Sequence, residues 1–145
     1  MNLNVSIKFA EGVDPEFPIP SYQSTGAAGL DLRAHLPKEE RIDGCKLLPG
    51  GRTLISSGFK VEIPDGFEGQ VRARSGLAHK YGIALANGVG TIDSDFRGVV
   101  GILLINLGLE SFIIQHGSRI AQLVIMPVTR VECKLVNELA STRRD

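Results

Sequence analysis

The chain has 145 residues, a length typical of one compact domain. Its 16 Lys and Arg balance 16 Asp and Glu, and 43% of the residues are apolar. This composition argues against a wholly disordered chain, and the balanced charge gives no overall attraction to nucleic acid or to an anionic membrane. We therefore expect neither partner, and we expect any anion-binding site to be local.

The sequence also argues against a membrane or secreted protein. The longest notable apolar run, Val99–Ile105, contains a glycine and is far too short to cross a bilayer. The first residues alternate apolar and polar types, without the hydrophobic block of a signal peptide. Cys45 and Cys133 form no CxxC pair, so they predict free thiols in a reducing compartment. Together these features predict a cytoplasmic protein.

Short strand patterns follow one another along the chain. Leu3 to Phe9 alternates apolar and polar residues with the period of two that is typical of a half-buried strand. The further predicted strands are Leu30–Ala34, Thr53–Ile55, Phe59–Ile63, Val71–Ala73, Val99–Ile105, Phe112–Ile114, Ile120–Ile125 and Val128–Leu135. Turn residues such as Pro64-Asp65-Gly66 bound most of them. Strands at this spacing, without long helices between them, predict an all-β sandwich or jelly roll.

One short helix is predicted over Gly76–Tyr81, with Ser75 as its N-cap and Gly82 as its stop. The sequence shows no internal repeat and no interdomain linker. We therefore expect residues 1–138 to form a single β domain and residues 139–145 to begin a flexible C-terminal tail.

The first segment whose residues suggest a function beyond the fold is 25–32, TGAAGLDL. Its small residues allow another group to approach the backbone closely, and Asp31 follows between two leucines. Because neighbouring strand residues point to opposite faces, Asp31 facing solvent is one interpretation. The other is a hard oxygen ligand, direct or through water, for a cation such as Mg²⁺.

The second segment places Arg74, Ser75 and Gly76 where a strand meets the predicted helix. Backbone N–H groups at a helix start, a hydroxyl and a guanidinium together can hold a phosphate. The segment is not a Walker A loop, because GxxxxGK[ST] does not occur in the sequence. An ordinary helix cap with a solvated arginine is the alternative.

The third segment is a Gly-rich hairpin over residues 87–98. Its main-chain groups, with the amide of Asn87 as donor and acceptor, suit the edge of a nucleobase. Asp93 and Asp95 lie two residues apart, and an Asp that holds a water near phosphorus can act as general base. An ordinary turn is the alternative here.

Four segments together resemble a known family. Residues 28–32 (AGLDL), 74–78 (RSGLA), Asn87 with 90–98, and 117–123 (GSRIAQL) are similar, in order and spacing, to four of the five motifs of trimeric dUTP pyrophosphatases, the dUTPases. This resemblance covers about Ser24 to Val128. It implies a jelly-roll-like distorted barrel, a homotrimer with active sites at subunit interfaces, and Mg²⁺-assisted hydrolysis of dUTP to dUMP and pyrophosphate. That reaction limits uracil incorporation into DNA and supplies dUMP for dTMP synthesis.

The resemblance also implies roles on the phosphate side of the substrate. Asp31 helps to hold hydrated Mg²⁺, and Gln122 lies near the phosphates and the metal. The residues that bind the phosphate chain are Arg74, Ser75 and Gly76.

On the nucleoside side, the resemblance assigns Asp93 as the general base that activates the water attacking the α-phosphorus. The residues implied in reading uracil or lining its pocket are Asn87, Thr91, Ile92 and Gly101. Phe96 replaces the usual Tyr that packs against deoxyribose, and it keeps the aromatic face. Ser118 stands where Asp is frequent.

The fifth motif of the family is a Gly-rich tail with an Arg for the phosphates and a Phe for the uracil. Residues 143–145 resemble the start of that region, with Arg144 as the better match, and the sequence stops before a Gly-rich stretch. Because such a tail acts as a lid, we expect these 145 residues to bind substrate with sharply reduced turnover.

Two alternative functions remain open. A dCTP deaminase shares the fold but needs a Glu that activates water at C4 of cytosine, and the hairpin offers Asp93 and Asp95 as its carboxylates. A non-catalytic nucleotide-binding or interaction trimer is the second alternative, and an absent lid would favour it. The presence of Asp93, Asp31 and Gln122 argues against it.

The remaining histidines and arginines suggest no further site. The three histidines are dispersed without ligand spacing, which argues against a metal site built from them. They are His35, His79 and His116. We expect solvated side chains at Arg33, Arg41 and Arg52.

Overall fold

The computed structural model describes residues 3–144, which contain ten β-strands and one α-helix. The elements in chain order are β1 Ser6–Phe9, β2 Leu30–Arg33, β3 Cys45–Leu47, β4 Arg52–Glu62, β5 Phe67–Ala73, α1 Ser75–Tyr81, β6 Ile83–Leu85, β7 Gly90–Ile92, β8 Val99–Asn106, β9 Phe112–Ile114 and β10 Arg119–Pro127. A short 3-10 turn covers Lys38–Glu40. Asp145, the last residue of the predicted tail, lies outside the described residues.

Two four-stranded antiparallel sheets carry the core, in the orders β1-β4-β8-β6 and β2-β10-β5-β7, and β3 pairs with β9. The inward side chains of both large sheets form one apolar cluster. Among its most buried members are Leu32, Phe59, Ile102, Leu104 and Leu123. This architecture confirms the predicted all-β, jelly-roll-like fold with one short helix. Among residues 3–144, no helix has the length and apolar character that crossing a membrane requires.

The helix α1 begins one residue earlier than predicted. Arg74 occupies the N-cap position with an extended backbone, and its carbonyl accepts from Ala78 N–H at 3.0 Å. Ser75 is therefore the first helical residue rather than the cap. Gly82 ends the helix as predicted, with φ +71°, and a side chain there would collide with the backbone of Gly108.

Several strand boundaries differ from the prediction. β4 is one strand of 11 residues, because Gly58, with φ +81°, lies at an irregularity within the strand rather than in a turn between two strands. Residues 128–135 form no strand: Val128 N–H donates to the Gly66 carbonyl at 2.9 Å, and the following residues are exposed. The strands β3, β6 and β7 were missed. Each has three residues, as does β9, which the run Phe-Ile-Ile of strand-favouring residues predicts.

Two of the three histidines are not dispersed in space. The rings of His35 and His116 lie 5.4 Å apart, and Phe17 packs against both at 5.1 and 5.3 Å. His116 Nδ1 accepts from Leu36 N–H at 3.0 Å. Burial, and then the Arg41 guanidinium, lower the pKa of both histidines. Within the described chain, no group of His, Cys, Asp and Glu side chains gathers at a metal site.

The prediction of solvated arginines was wrong at two of three positions. Arg41 is half-buried: its Nε donates to the Leu36 carbonyl at 3.0 Å and its Nη2 lies 3.1 Å from His35 Nε2. Arg33 Nη1 donates to the Gly117 carbonyl at 2.8 Å. Arg52 is exposed as expected, and both cysteines are free thiols, as predicted.

Candidate active site

The phosphate side of the predicted site forms where β2, β10 and β5 lie side by side. Asp31 of β2 and Arg72 of β5 are both cross-strand partners of Gln122. Gln122 Nε2 donates to the Ala73 carbonyl at 3.0 Å, which fixes its amide between the strands. A Cβ on Gly29 would lie 2.6 Å from Gln122 Oε1, so the small residue before β2 makes room for that amide.

Two arginines surround the Asp31 carboxylate, whose side chain is 14% exposed. Arg119 Nη1 lies 3.1 Å from Oδ2, and Arg74 Nε lies 3.9 Å from Oδ1. Arg74 Nη1 also donates to the Arg119 carbonyl at 2.8 Å. The predicted metal ligand and the predicted phosphate-binding arginine are therefore neighbours, with the exposed Ser75 and Gly76 directly following at the start of α1.

The residues around Asp31 fit one mode of Mg²⁺ binding, in which the protein supplies few of the ligands. Mg²⁺ usually keeps several waters and is held by one or two carboxylates together with substrate phosphates, rather than by a closed protein cage. Asp31 supplies one mostly buried carboxylate, and no cage of further acidic or histidine ligands forms around it in residues 3–144. The residues thus fit an ion that is bound mainly by water and phosphate oxygens.

The nucleoside side of the predicted site forms a cavity of about 150 Å³ between β7, β8 and the turn after β7. Six of its lining residues are those that the resemblance implies, namely Asn87, Thr91, Ile92, Asp93, Phe96 and Gly101. Gly90 leaves space for the Asn87 amide, because a Cβ at Gly90 would lie 3.1 Å from Asn87 Nδ2. We call this space the nucleoside cavity.

Asp93 lies at the end of β7, where the chain turns, and its side chain is exposed. The turn is closed by Phe96 N–H, which donates to the Asp93 carbonyl at 3.1 Å. Asp93 also borders a second cavity of about 420 Å³, which Asp65, Glu68 and Asp95 share. The carboxylate therefore stands at the rim of the nucleoside cavity with access to water.

A family model described as dUTPase matches residues 15–145. The chain belongs to the dUTPase family. It is 52% identical over 134 residues to the deoxyuridine 5'-triphosphate nucleotidohydrolase of Rhizobium johnstonii, covering 92% of this chain and 81% of the relative. It is 46% identical over 143 residues to that of Roseobacter denitrificans, covering 98% of this chain and 91% of the relative.

Solved dUTPase structures share the fold. The dUTPase of Staphylococcus bacteriophage 80alpha with dUPNHPP superposes with a TM-score of 0.80 at 25% identity, over 97% of this chain and 93% of that one. The dUTPase from phage phi11 of S. aureus gives 0.79 at 22% identity, over 96% and 99%.

Within one copy of this dUTPase-family chain, the predicted site is divided. The lining of the nucleoside cavity includes none of Asp31, Arg74, Ser75, Gly76 and Gln122. Asp31 lies on β2, Gln122 lies on β10, and residues 74–76 lie at the N-cap and start of α1, whereas the nucleoside cavity forms around β7 and β8. We call these five residues the phosphate-side group. One chain thus presents the phosphate-side group and the nucleoside cavity as separate features.

Sequence reasoning missed one neighbour of the phosphate-side group. Arg119 lies in the fourth dUTPase-like segment, but the resemblance assigned no role to it. The signal that places it beside Asp31 is a register shift in β10, which residue types alone do not show. Ser118, where the family often has Asp, donates from its Oγ to the Gln115 carbonyl at 2.7 Å and so belongs to the turn before β10.

Proposed function

We propose that this chain hydrolyses dUTP to dUMP and pyrophosphate. The observation that carries the proposal is the nucleoside cavity, because residues from separate positions on β7, β8 and their flanking turns line one space. Membership of the dUTPase family supports the same substrate. On this proposal the reaction takes place in the cytoplasm, lowers the dUTP available to DNA synthesis and supplies dUMP for dTMP synthesis.

The nucleoside cavity suits a uracil base and a deoxyribose. The Asn87 amide offers one donor and one acceptor group to a base edge, as do the backbone groups of Thr91 and Ile92. In the dUTPase family this hairpin leaves no room for a 5-methyl group, so membership of the family favours uracil over thymine. Phe96 offers its ring face to the sugar, and the ring rests on Gly98, where a Cβ would lie 2.6 Å from it.

Asp93 is the proposed general base. Its exposed carboxylate at the rim of the nucleoside cavity can accept a proton from a water that attacks the α-phosphorus. The new bond joins the water oxygen to the α-phosphorus, and the bond from that phosphorus to the bridging oxygen breaks. Pyrophosphate leaves with the electron pair, and dUMP remains.

The phosphate-side group is proposed to hold the triphosphate. Arg74 offers a guanidinium, Ser75 a hydroxyl and Gly76 a backbone N–H without a side chain, while the Gln122 amide lies close by. Asp31 would hold hydrated Mg²⁺, which when bound supplies positive charge to the phosphate oxygens. Electrostatic stabilisation of the leaving pyrophosphate is the main task of this group.

We further propose that the protein assembles as a homotrimer with active sites between subunits. One support is β8, which carries apolar residues on both faces. Strands of this kind are usually buried on both sides, so the outer face of β8 is suited to contact another subunit. The residues that face the core are Val100, Ile102 and Leu104. The residues on the outer face are Val99, Gly101, Leu103 and Ile105. Leu54 of β4 extends this outer face, since it pairs with Leu103 and is 68% exposed.

The segment after β10 gives a second support for assembly. It exposes a series of large apolar side chains, which in a soluble protein mark an interaction surface. They are Val131, Leu135, Val136 and Leu139. The division of the predicted site within one chain is a third support, because a neighbouring copy can bring a phosphate-side group to each nucleoside cavity.

The test compares Asp93→Asn with Asp95→Asn, its matched control two residues away. Asp95 is exposed in the same turn but does not line the nucleoside cavity. We expect Asp93→Asn to abolish measurable pyrophosphate release, with a rate at least about 10²-fold lower than that of the unmodified chain. Binding of dUTP is expected to persist. Asp95→Asn is expected to keep both activity and binding.

The same assay separates the alternatives. Each protein is incubated with dUTP and with dCTP, and both pyrophosphate and ammonia are measured. Ammonia release from dCTP would assign the chain as a deaminase. Binding of dUTP with no turnover at all, rather than with the sharply reduced turnover expected from the sequence, would assign the unmodified chain as a nucleotide-binding module. Turnover that survives in Asp93→Asn would contradict the role of that residue as base.

A further inference from the structure

Arg119 is the first residue of β10, and an irregularity of that strand determines where its side chain lies. The pairing with β2 joins Arg119 to Arg33 and Ala121 to Leu32, so one extra residue of β10 stands between two adjacent residues of β2. Ile120 is 2% exposed and Ala121 is 0% exposed. Consecutive residues of a regular strand face opposite sides, whereas the extra residue lets Ile120 and Ala121 both face the core, as the two residues of a β-bulge do.

The bulge brings Arg119 to the face of the site. Arg119 and Gln122 are three positions apart, and in a regular strand an odd separation places side chains on opposite faces. The extra residue reverses that relation, so both side chains lie on the face that Asp31 shares with its cross-strand partner Gln122. Arg119 Nη1 consequently reaches Asp31 Oδ2 at 3.1 Å.

Arg119 contacts the phosphate-side group at two points. Its side chain binds the Asp31 carboxylate, and its backbone carbonyl accepts from Arg74 Nη1 at 2.8 Å. The direct contact of Arg74 with Asp31 is looser, at 3.9 Å. Arg119 therefore holds one carboxylate oxygen closely, while Oδ1 keeps the weaker partner and is the oxygen more easily given to a ligand.

We propose that Arg119 is a positioning residue for Asp31 and Arg74. Its side chain keeps the carboxylate oriented towards hydrated Mg²⁺ and, by occupying Oδ2, keeps Arg74 from closing onto that oxygen, so that the Arg74 guanidinium is available to the triphosphate. This inference rests on the proposed function, because it assigns Arg119 to the same phosphate-side group. Residues that orient a metal-binding side chain typically affect metal affinity or activity by about 10- to 100-fold.

The test measures binding of a non-hydrolysable imido analogue of dUTP by calorimetry, over a range of Mg²⁺ concentrations. In Arg119→Met the charge is lost and the aliphatic stem is kept. We expect the Mg²⁺ concentration for half-maximal analogue binding to rise about 10-fold or more. Binding of dUMP without Mg²⁺ is expected to stay unchanged, because the nucleoside cavity does not include Arg119. Arg119→Lys is expected to recover part of the Mg²⁺ response.

Arg33→Met is the matched control. Arg33 is the register partner of Arg119, but its guanidinium binds the Gly117 carbonyl instead of Asp31. We expect this variant to keep the Mg²⁺ response of the unmodified chain, with thermal unfolding recorded for every protein. An unchanged response in Arg119→Met overturns the inference, as does an equal loss of dUMP and analogue binding.

The outcomes also separate this inference from the proposed function. If the unmodified chain binds the analogue with a Mg²⁺ response but releases no pyrophosphate from dUTP, hydrolysis fails and the positioning role is still decided by Arg119→Met. If the unmodified chain binds the analogue without any Mg²⁺ response, the positioning role of Arg119 fails with it.

Discussion

At the scale of single residues, Gly29 shows how an absent side chain shapes the phosphate-side group. A Cβ there would lie 2.6 Å from Gln122 Oε1 and 3.1 Å from Gln122 Cβ. The nearest atom is the end of a flexible side chain, so in Gly29→Ala the amide moves and the fold remains. The displaced amide loses its bond to the Ala73 carbonyl. We expect analogue binding to weaken about 5- to 10-fold, as measured by calorimetry.

The control for this substitution is Gly26→Ala in the same loop. A Cβ on Gly26 meets nothing within 4 Å, so this variant changes loop flexibility to a similar degree without touching Gln122. We expect its analogue affinity to equal that of the unmodified chain. Equal affinities in Gly29→Ala and Gly26→Ala would show that the position of Gln122 does not matter for binding.

At the scale of elements, the sequence predicts strands best where large apolar residues that favour strands follow one another. Phe112–Ile114 is predicted with its observed bounds, and Val99–Ile105 ends one residue short of the observed strand. Residues 128–135 have the right residue types but no neighbouring strand edge, and a strand exists only through its partners. The sequence of β10 alone cannot predict the β-bulge at Ile120 for the same reason, because the register is defined only between two paired strands.

The sequence likewise does not predict the contact between His35 and His116, which connects the end of β2 to the turn before β10. His116 Nδ1 accepts from Leu36 N–H, and His35 Nε2 faces the Arg41 guanidinium, which can only donate. Both contacts therefore need neutral rings. Burial, followed by Arg41, holds the pKa of each histidine below its ordinary value of 6.5, and His116 lowers that of His35 further.

Acid is consequently expected to weaken the link between these elements. The unfolded chain binds more protons than the folded chain as pH falls below 6.5, so the stabilisation is complete above that pH and is lost as pH falls through the folded-state pKa values. We expect His116→Asn, whose amide oxygen can still accept from Leu36, to lose less unfolding free energy than the unmodified chain between about pH 7.5 and 5.5.

Chemical denaturation at each pH measures this difference. His79→Asn is the control, since His79 is exposed on α1 away from Phe17 and Arg41. It should follow the pH dependence of the unmodified chain. A slope for His116→Asn that matches both other proteins would contradict the role of His116.

At the scale of the whole molecule, the order of motifs predicts which residues belong to the site but not how they are distributed. Asn87, Asp93 and Phe96 come together through one hairpin, so local sequence is sufficient for them. Asp31 and Arg74 come together through strand pairing across β10, which the residue types do not specify. The order of motifs does not show that the two groups stay apart within one chain, and the family resemblance, rather than composition, predicts the assembly that would join them.

The shared site can be tested by mixing two inactive variants. Asp93→Asn damages the nucleoside cavity, and Arg74→Ala damages the phosphate-side group. If each active site takes its cavity from one copy and its phosphate-side group from the next, equal mixing gives both intact halves with a probability of about one quarter. We therefore expect co-refolded mixtures, with the solution mass of three chains, to recover about one quarter of the unmodified turnover.

Mixing Asp93→Asn with Asn87→Ala provides the control, because both substitutions damage the same half and every cavity in the mixture is then defective. No turnover should return in that mixture, although its solution mass equals that of the first. Recovery therefore cannot come from refolding or from subunit exchange as such. If the Asp93→Asn and Arg74→Ala mixture also stays inactive while mixed trimers form, the two groups act within one copy, and the exposed outer face of β8 needs a different explanation.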